Sequence, residues 1–177
     1  MKKISLLIFI VISLLSKASF AQTASLNITL SDILSFSVTQ PASLNLAFNT
    51  EAAYTNGISA LAADHVSVTS SRGFIVKVVA GSISGAAALS ANSVKLTSSI
   101  GSTNAGNTAG ITYQSGVVLP ASGNAAATII TSANASWSGS NATNKFNISY
   151  LVGANGEYAG KITGTNVIPI MYTVTQP

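Results

Sequence analysis

Apolar and polar residues alternate along the last segment of the chain. One face of an extended chain would carry Ile168, Ile170, Tyr172 and Val174. Because successive side chains of a strand point to opposite faces, this period of two predicts a half-buried β-strand. A single strand cannot cover its own apolar face. We therefore expect these four residues to have a structural role, locked in the core against other strands.

The same alternation appears near the start of the chain, in residues 25–38. Leu26, Ile28 and Leu30 would lie on one face of an extended chain, and the apolar residues at 34, 36 and 38 continue the same alternation. Asp32 stands where the next apolar residue belongs. An unpaired carboxylate is costly on a core face, so the pattern predicts one long strand with a bulge or break at residues 31–32. A shorter alternating segment follows at residues 44–48.

Further strands are predicted between these two ends. Residues 66–68 and 74–78 alternate around a turn at 70–73, which predicts a β-hairpin, and the second strand is apolar on both faces, as in a central strand. Residues 58–63 lack a strong period and could form a helical turn. Shorter candidate strands are, in order, 94–96, 111–113, 117–119, 126–130 and 146–152.

The pattern as a whole predicts about eight or nine short strands joined by polar turns. No segment of useful length has a helical period after residue 21. These features favour an all-β fold, an antiparallel β-sandwich. No composition shift divides residues 22–177, and about 156 residues fit one domain.

The first 21 residues predict a secretory signal peptide. Lys2 and Lys3 precede an apolar run, and Ser19 and Ala21 supply the small residues of a cleavage site. The run is too short for a membrane anchor. We expect cleavage after Ala21, with residues 1–21 removed and no transmembrane segment in the mature chain. Its destination would be the periplasm, the outer cell surface or the medium.

Removal of the signal peptide changes the charge. The chain has eight Lys and Arg and four Asp and Glu. Three lysines leave with the signal peptide, so five cations face four anions and the net charge falls from +4 to +1. Five scattered cations do not form a nucleic-acid surface, and we expect no nucleic-acid partner.

The composition offers little for catalysis. The chain has no cysteine, which excludes disulfides and thiol chemistry, and one histidine, His65. A lone histidine does not complete a usual zinc or copper site. We expect His65 to be an exposed residue between a loop and a strand; the alternative is a metal ligand or general base. The chain is not expected to be an enzyme or to hold a cofactor.

Two aromatic residues are candidates for ligand contact. Trp137, the single tryptophan, lies in a Ser-, Gly- and Asn-rich loop, and Tyr158 lies near a predicted turn. An exposed ring in a loop could stack on a sugar or anchor a partner protein. The alternative for Trp137 is that its ring folds back over one end of the core.

Two segments resemble a known kind of exported bacterial protein. They are HVSVTSSRGFIVKVVA at residues 65–80 and GEYAGKITGTNVIPIMYTVTQP at residues 156–177, with Gly156, Tyr158 and Gly160 as a Gly-x-Tyr-x-Gly motif. The chain is similar to the small cysteine-free β-sandwich proteins common in Bacteroidetes, akin to fimbrial-subunit, spore-coat-protein-U-like and WxL-type surface domains. The resemblance implies an immunoglobulin-like sandwich and a surface or pilus-related role.

Two functions follow as hypotheses. The first is a non-catalytic structural or adhesion protein of the cell surface, such as a pilin-like subunit, which partners with other copies of itself or with surface proteins by strand addition. It depends on the alternating segments at the two ends of the chain. The second is a carbohydrate- or surface-binding module that uses loop aromatics such as Trp137.

Overall fold

A computed structural model describes residues 26–39 and 43–177 of the chain. Two compact units divide at residues 31 and 32. Of the first unit, Met1–Ser31, only residues 26–31 are described, and these form neither helix nor strand. The side chains of Leu26, Ile28 and Leu30 are 83%, 71% and 90% exposed. The second unit, Asp32–Pro177, holds all the described helices and strands.

Strands dominate the second unit. In chain order its elements are β1 (Leu34–Val38), α1 (Glu51–Asn56), β2 (Ile58–Ser70), β3 (Phe74–Ala80), β4 (Ser84–Gly85), a 3-10 turn (Ala91–Ser93), β5 (Val94–Ile100), β6 (Ile111–Tyr113), β7 (Val117–Val118), β8 (Ala127–Ser132), β9 (Thr143–Val152), β10 (Asn166–Val167) and β11 (Ile170–Thr175). The described strands therefore number eleven, whereas the sequence pattern predicts eight or nine.

Two antiparallel sheets form the sandwich. The five-stranded sheet has the order β1-β2-β9-β5-β7, and the four-stranded sheet has the order β11-β3-β8-β6. A small third sheet pairs β4 with β10. The all-β antiparallel sandwich predicted from the alternation is confirmed.

The core lies between the two sheets, where alternate residues of each strand meet. On β3, for example, Phe74, Val76 and Val78 are fully buried, while the residues between them are partly exposed. The same alternation on β9 buries Phe146 and Ile148. β3 lies between β11 and β8, so the prediction of a central strand is confirmed.

The predicted hairpin at residues 66–78 is wrong. β2 pairs with β1 and β9, while β3 pairs with β11 and β8 in the other sheet. The turn at residues 71–73 therefore carries the chain across the sandwich. A turn between two alternating segments looks the same in the sequence whether the strands pair or face each other.

The expected helical turn at residues 58–63 is also wrong. These residues begin β2 and pair with β9, from Ile58 opposite Val152 to Ala62 opposite Ile148. The helix lies just before them, at Glu51–Asn56. Its first turn is capped by the Thr50 side chain, which accepts a hydrogen bond from the Ala53 N–H at 3.2 Å. Gly57, at φ +76°, ends it.

The two terminal segments differ from their predictions as well. Of the long strand expected at residues 25–38, the described residues 26–38 contain only β1, and residues 44–48 alternate in burial without forming a strand. β11 is an edge strand, paired only with β3 among the described strands. Its inward residues are half-buried. They contact the core from the edge of a sheet and are not enclosed by it.

Candidate functional site

Trp137 lies in the loop between β8 and β9, at one end of the sandwich. Trp137 is 39% exposed, so part of its indole faces solvent. The adjacent residue anchors the loop: the Ser70 N–H donates to Ser136 Oγ at 2.7 Å, and the Ser136 N–H donates to the Ser70 carbonyl at 2.9 Å. Because these hydrogen bonds fix the loop, the exposed part of the indole can offer a flat apolar surface to a ligand.

An exposed ion pair lies at the same end, two residues from Ser70. Arg72 Nη1 is 2.9 Å from Asp32 Oδ2, and Arg72 Nη2 donates to the Pro177 carbonyl at 2.8 Å. Exposed pairs of this kind contribute at most about 1 kcal/mol. Their effect is to tie the beginning of β1 to the end of β11.

Tyr158 is buried at the opposite end, in the turn that follows β9. Its hydroxyl is 2.5 Å from Ser93 Oγ, and its ring lies edge-on to Phe48 with 4.9 Å between centroids. Burial raises the pKa of Tyr158. The ten residues of β9 separate the two ends by roughly 30 Å. The structure therefore does not bring Tyr158 and Trp137 together.

The four residues singled out on the last segment all pack against the core from its rim. Ile168, Ile170, Tyr172 and Val174 are partly buried and contact the central cluster. The Tyr172 hydroxyl is hydrogen-bonded to the Tyr150 hydroxyl of β9 in the opposite sheet. Burial raises the pKa of Tyr172, so the hydroxyl stays protonated in this contact.

His65 is buried within β2, so its expected exposure is wrong. Its ring lies 5.7 Å from the ring of Tyr172 and 6.3 Å from that of Tyr150. Nδ1 has no hydrogen-bond partner among the described residues. Burial lowers the pKa of His65, with an opposing contribution from the Thr39 backbone. The neutral ring therefore acts as a core residue at neutral pH.

A β-bulge explains why His65 points inward. The pairing of β2 with β9 shifts between Ala62 and Val66, and Asp64 has φ +48°. Because the bulge inserts extra residues, it changes which side chains face the core. The Asp64 carboxylate turns outward and accepts hydrogen bonds from the Thr103 and Ser102 hydroxyls, at 2.9 and 3.0 Å.

The Asp64 carboxylate is stabilised in its charged form. Partial burial would raise its pKa, but hydrogen bonds from Thr103 and Ser102, together with the charge of Lys145, hold the pKa below its usual value. These contacts fix the bulge and leave the carboxylate oxygens occupied by donors. The local arrangement fits a structural role.

The acidic groups lie on separate elements. Asp32 pairs with Arg72, Glu51 is in the first turn of α1, Asp64 is in the bulge, and Glu157 follows β9. Among residues 26–39 and 43–177, no group of three or more His, Cys, Asp or Glu side chains could hold a metal ion. Nor does a helix in this part of the chain have the length and apolar character needed to cross a membrane.

A shallow groove of about 380 Å³ crosses the outer face of the five-stranded sheet. Leu61 and Leu151 line it together with Thr97, Ser149 and Lys95. Of these five outward-facing side chains, that of Lys95 is the ionisable one. The groove offers a mixed surface, and its residues do not include a pair suited to acid–base chemistry.

Comparison with known proteins does not assign this chain to a family. The sequence matches no protein-family model, and no relative is found among curated proteins. The function is therefore inferred from the residues and their arrangement.

Proposed function

We propose that this chain is an exported, non-catalytic structural protein whose copies assemble by strand addition at the cell surface. The observation that carries the proposal is the exposure of residues 26–30, called here the arm. Leu26, Ile28 and Leu30 alternate as in a half-buried strand, yet all three are more than two-thirds exposed. An apolar face of this kind is typical of a segment that pairs with another chain.

Burial of the arm's apolar face would offset the entropy cost of ordering it. Full burial of one Leu or Ile side chain contributes roughly 1.5–3 kcal/mol. Three of them in alternate positions give an added strand an apolar face, while its backbone contributes hydrogen bonds to a sheet edge. Ordering the arm costs conformational entropy, about 1–2 kcal/mol per residue, so binding must supply several contacts at once.

The sandwich supplies edges that an added strand can use. β1 and β11 end their sheets on the same side of the molecule, and neither has a second neighbour among the described strands. Unpaired N–H and C=O groups on an edge form a template for another chain. The predicted signal peptide supports export, and an uncapped edge is compatible with a protein that polymerises after export.

Size measurement and electron microscopy test the proposal. The protein is purified after export of the full chain and examined by sedimentation over a hundredfold range of concentration. We expect oligomers that grow with concentration, and fibres or ordered arrays in negative stain. Strict monomers at the highest concentration, with no assemblies on expressing cells, would contradict the proposal.

A second candidate function is carbohydrate binding at the end of the sandwich that holds Trp137. The observation in its favour is the exposed indole on a loop anchored through Ser136. A glycan array compares wild type with Trp137→Ala and Trp137→Phe. We expect loss of binding in the alanine variant and partial retention in the phenylalanine variant, which keeps a ring. Equal signals from all three proteins would remove this candidate.

A further inference from the structure

The chain contains two Asn-Gly dipeptides, Asn56-Gly57 and Asn155-Gly156, and both asparagines are exposed. Asparagine is one of the thermally labile residues. In this dipeptide the backbone nitrogen of glycine can attack the side-chain amide carbon of asparagine and close a five-membered succinimide ring. Glycine favours the attack because it has no Cβ to restrict the backbone. Since both dipeptides have the same reactive groups, the surrounding backbone decides which of them reacts.

The backbone around Gly57 is held in place. The Gly57 N–H donates a hydrogen bond to the Ala53 carbonyl at 2.9 Å, at the end of α1. A Cβ placed on Gly57 would lie 2.6 Å from the Val152 carbonyl oxygen and 2.8 Å from the Ala154 nitrogen, so the space is already filled by backbone. To attack, the Gly57 nitrogen would have to lose its hydrogen bond and rotate within this space. The fold therefore protects Asn56.

The backbone around Gly156 is free to move. Asn155 and Gly156 lie in the turn that follows β9, and the Gly156 N–H makes no hydrogen bond among the described residues. A Cβ placed on Gly156 would meet no atom within 4 Å. Asn155 has φ +60°, in the left-handed region. A residue with a Cβ is less stable there than glycine, so rotation of Asn155 toward the geometry of attack is opposed less than in a helix.

We propose that Asn155 is a site of self-modification, at which the folded protein converts an amide into a carboxylate. The Gly156 nitrogen loses its proton and forms a bond to Cγ of Asn155. The bond from Cγ to the side-chain nitrogen breaks, and that nitrogen takes up a proton and leaves as ammonia. Water then adds to one of the two carbonyl carbons of the succinimide and opens the ring. Opening on one side leaves aspartate at position 155, and opening on the other leaves isoaspartate.

Both products change the turn after β9. The Asn155 N–H donates to the Thr55 carbonyl at 3.0 Å, which ties the turn to the end of α1. Isoaspartate adds a methylene group to the main chain at this residue, so we expect the contact with Thr55 to weaken. Either product adds a carboxylate near Glu157. With residues 1–21 removed, five cations then face five anions, and the net charge falls from +1 to zero.

Peptide mass spectrometry measures the conversion of each asparagine in the purified protein, incubated at mildly alkaline pH. We expect Asn155 to convert at least about ten times faster than Asn56, because loss of one hydrogen bond alone corresponds to roughly a two- to tenfold factor and the crowding at Gly57 adds to it. The chain unfolded in urea is the matched control. Both dipeptides are free there, so we expect the two rates to be similar.

Two variants test the cause of the contrast. The Thr50 side chain caps α1, so Thr50→Ala, with its fold checked by circular dichroism, should speed conversion at Asn56 and leave Asn155 unchanged. In Asn155→Gln the corresponding ring has six members and closes more slowly, so the acidic form seen by isoelectric focusing should disappear. Equal rates for the two asparagines in the folded protein, or conversion of Asn155 in urea alone, would overturn the inference. So would an Asn56 rate that Thr50→Ala leaves unchanged, because α1 would then not protect that residue.

Discussion

The hydroxyl groups of Tyr150 and Tyr172 are hydrogen-bonded to each other across the interior of the sandwich. Tyr150 belongs to β9, the central strand of the five-stranded sheet, and Tyr172 belongs to β11, an edge of the other sheet. Burial raises the pKa of both side chains. The contact therefore ties an edge strand, which has one described neighbour, to the middle of the opposite sheet.

Loss of this contact should lower stability. In Tyr172→Phe the Tyr150 hydroxyl loses its partner, and an unpaired buried hydroxyl costs about 1–3 kcal/mol. We expect the free energy of unfolding in urea to fall by about that amount. The double variant Tyr150→Phe/Tyr172→Phe should be less destabilised than the sum of the two single variants, because it leaves no hydroxyl unpaired. Additive effects would contradict the contact.

A charge on the inward face of β11 should prevent folding, while the same charge on the outward face should not. Tyr172 faces the core, whereas Thr173 is exposed and lies opposite Lys77 of β3. We expect Tyr172→Asp to be unfolded by circular dichroism and Thr173→Asp to unfold within about 0.5 kcal/mol of wild type. A folded Tyr172→Asp protein with unchanged melting would show that β11 is not required for the sandwich.

Stability should decrease as the pH falls below about 6.5, the ordinary pKa of histidine. Burial lowers the pKa of His65 in the folded state, so the unfolded chain takes up a proton more readily. Its contribution is fully present above the unfolded pKa and is lost as the pH falls toward the folded pKa. The two rings that lie against His65, those of Tyr150 and Tyr172, are neutral and therefore do not stabilise its protonated form.

Urea unfolding at pH 7.5, 6.5 and 5.5 measures this dependence. His65→Phe keeps a ring at the site and removes the titration, so its stability should change less over the same range. The Asp64 carboxyl, whose pKa lies below its usual value, titrates at lower pH and does not interfere. The same slope in both proteins would assign the pH dependence to other groups.

Removal of the Tyr158 side chain should lower the stability of the fold far more than removal of the Trp137 side chain. Tyr158 is buried against Phe48 and Ser93, so Tyr158→Ala should cost about 3–5 kcal/mol and Tyr158→Phe about 1–2 kcal/mol. Trp137 is exposed, so Trp137→Ala should change stability by less than about 1 kcal/mol. Unfolding curves of the three variants test this order. A large loss in Trp137→Ala would mean that the indole supports the fold.

Sequence alternation predicted the strands well, because burial on one face imposes a period of two. β3, β5, β8, β9 and β11 all lie on segments identified from their pattern. Pairing could not be predicted in the same way, since an alternating segment does not name its neighbour. The turn at residues 71–73 thus appeared to close a hairpin, although β2 and β3 belong to different sheets.

The candidate site was predicted less completely. The loop position of Trp137 was evident from its Ser, Gly and Asn neighbours, while the burial of Tyr158 depends on Ser93, 65 residues away in the chain. His65 was misplaced because a bulge resets the alternation without a sequence signal strong enough to identify it. The alternation of the arm was visible, but its exposure required the structure.

Sedimentation of variants of the arm tests whether its apolar face joins the copies to one another. Ile28→Asp places a charge on the apolar face of the arm, and Asn27→Asp places the same charge on its other face. We expect wild type and Asn27→Asp to form the same oligomers, and Ile28→Asp to remain monomeric at every concentration while keeping the wild-type melting temperature. Oligomers of Ile28→Asp equal to those of wild type would contradict it.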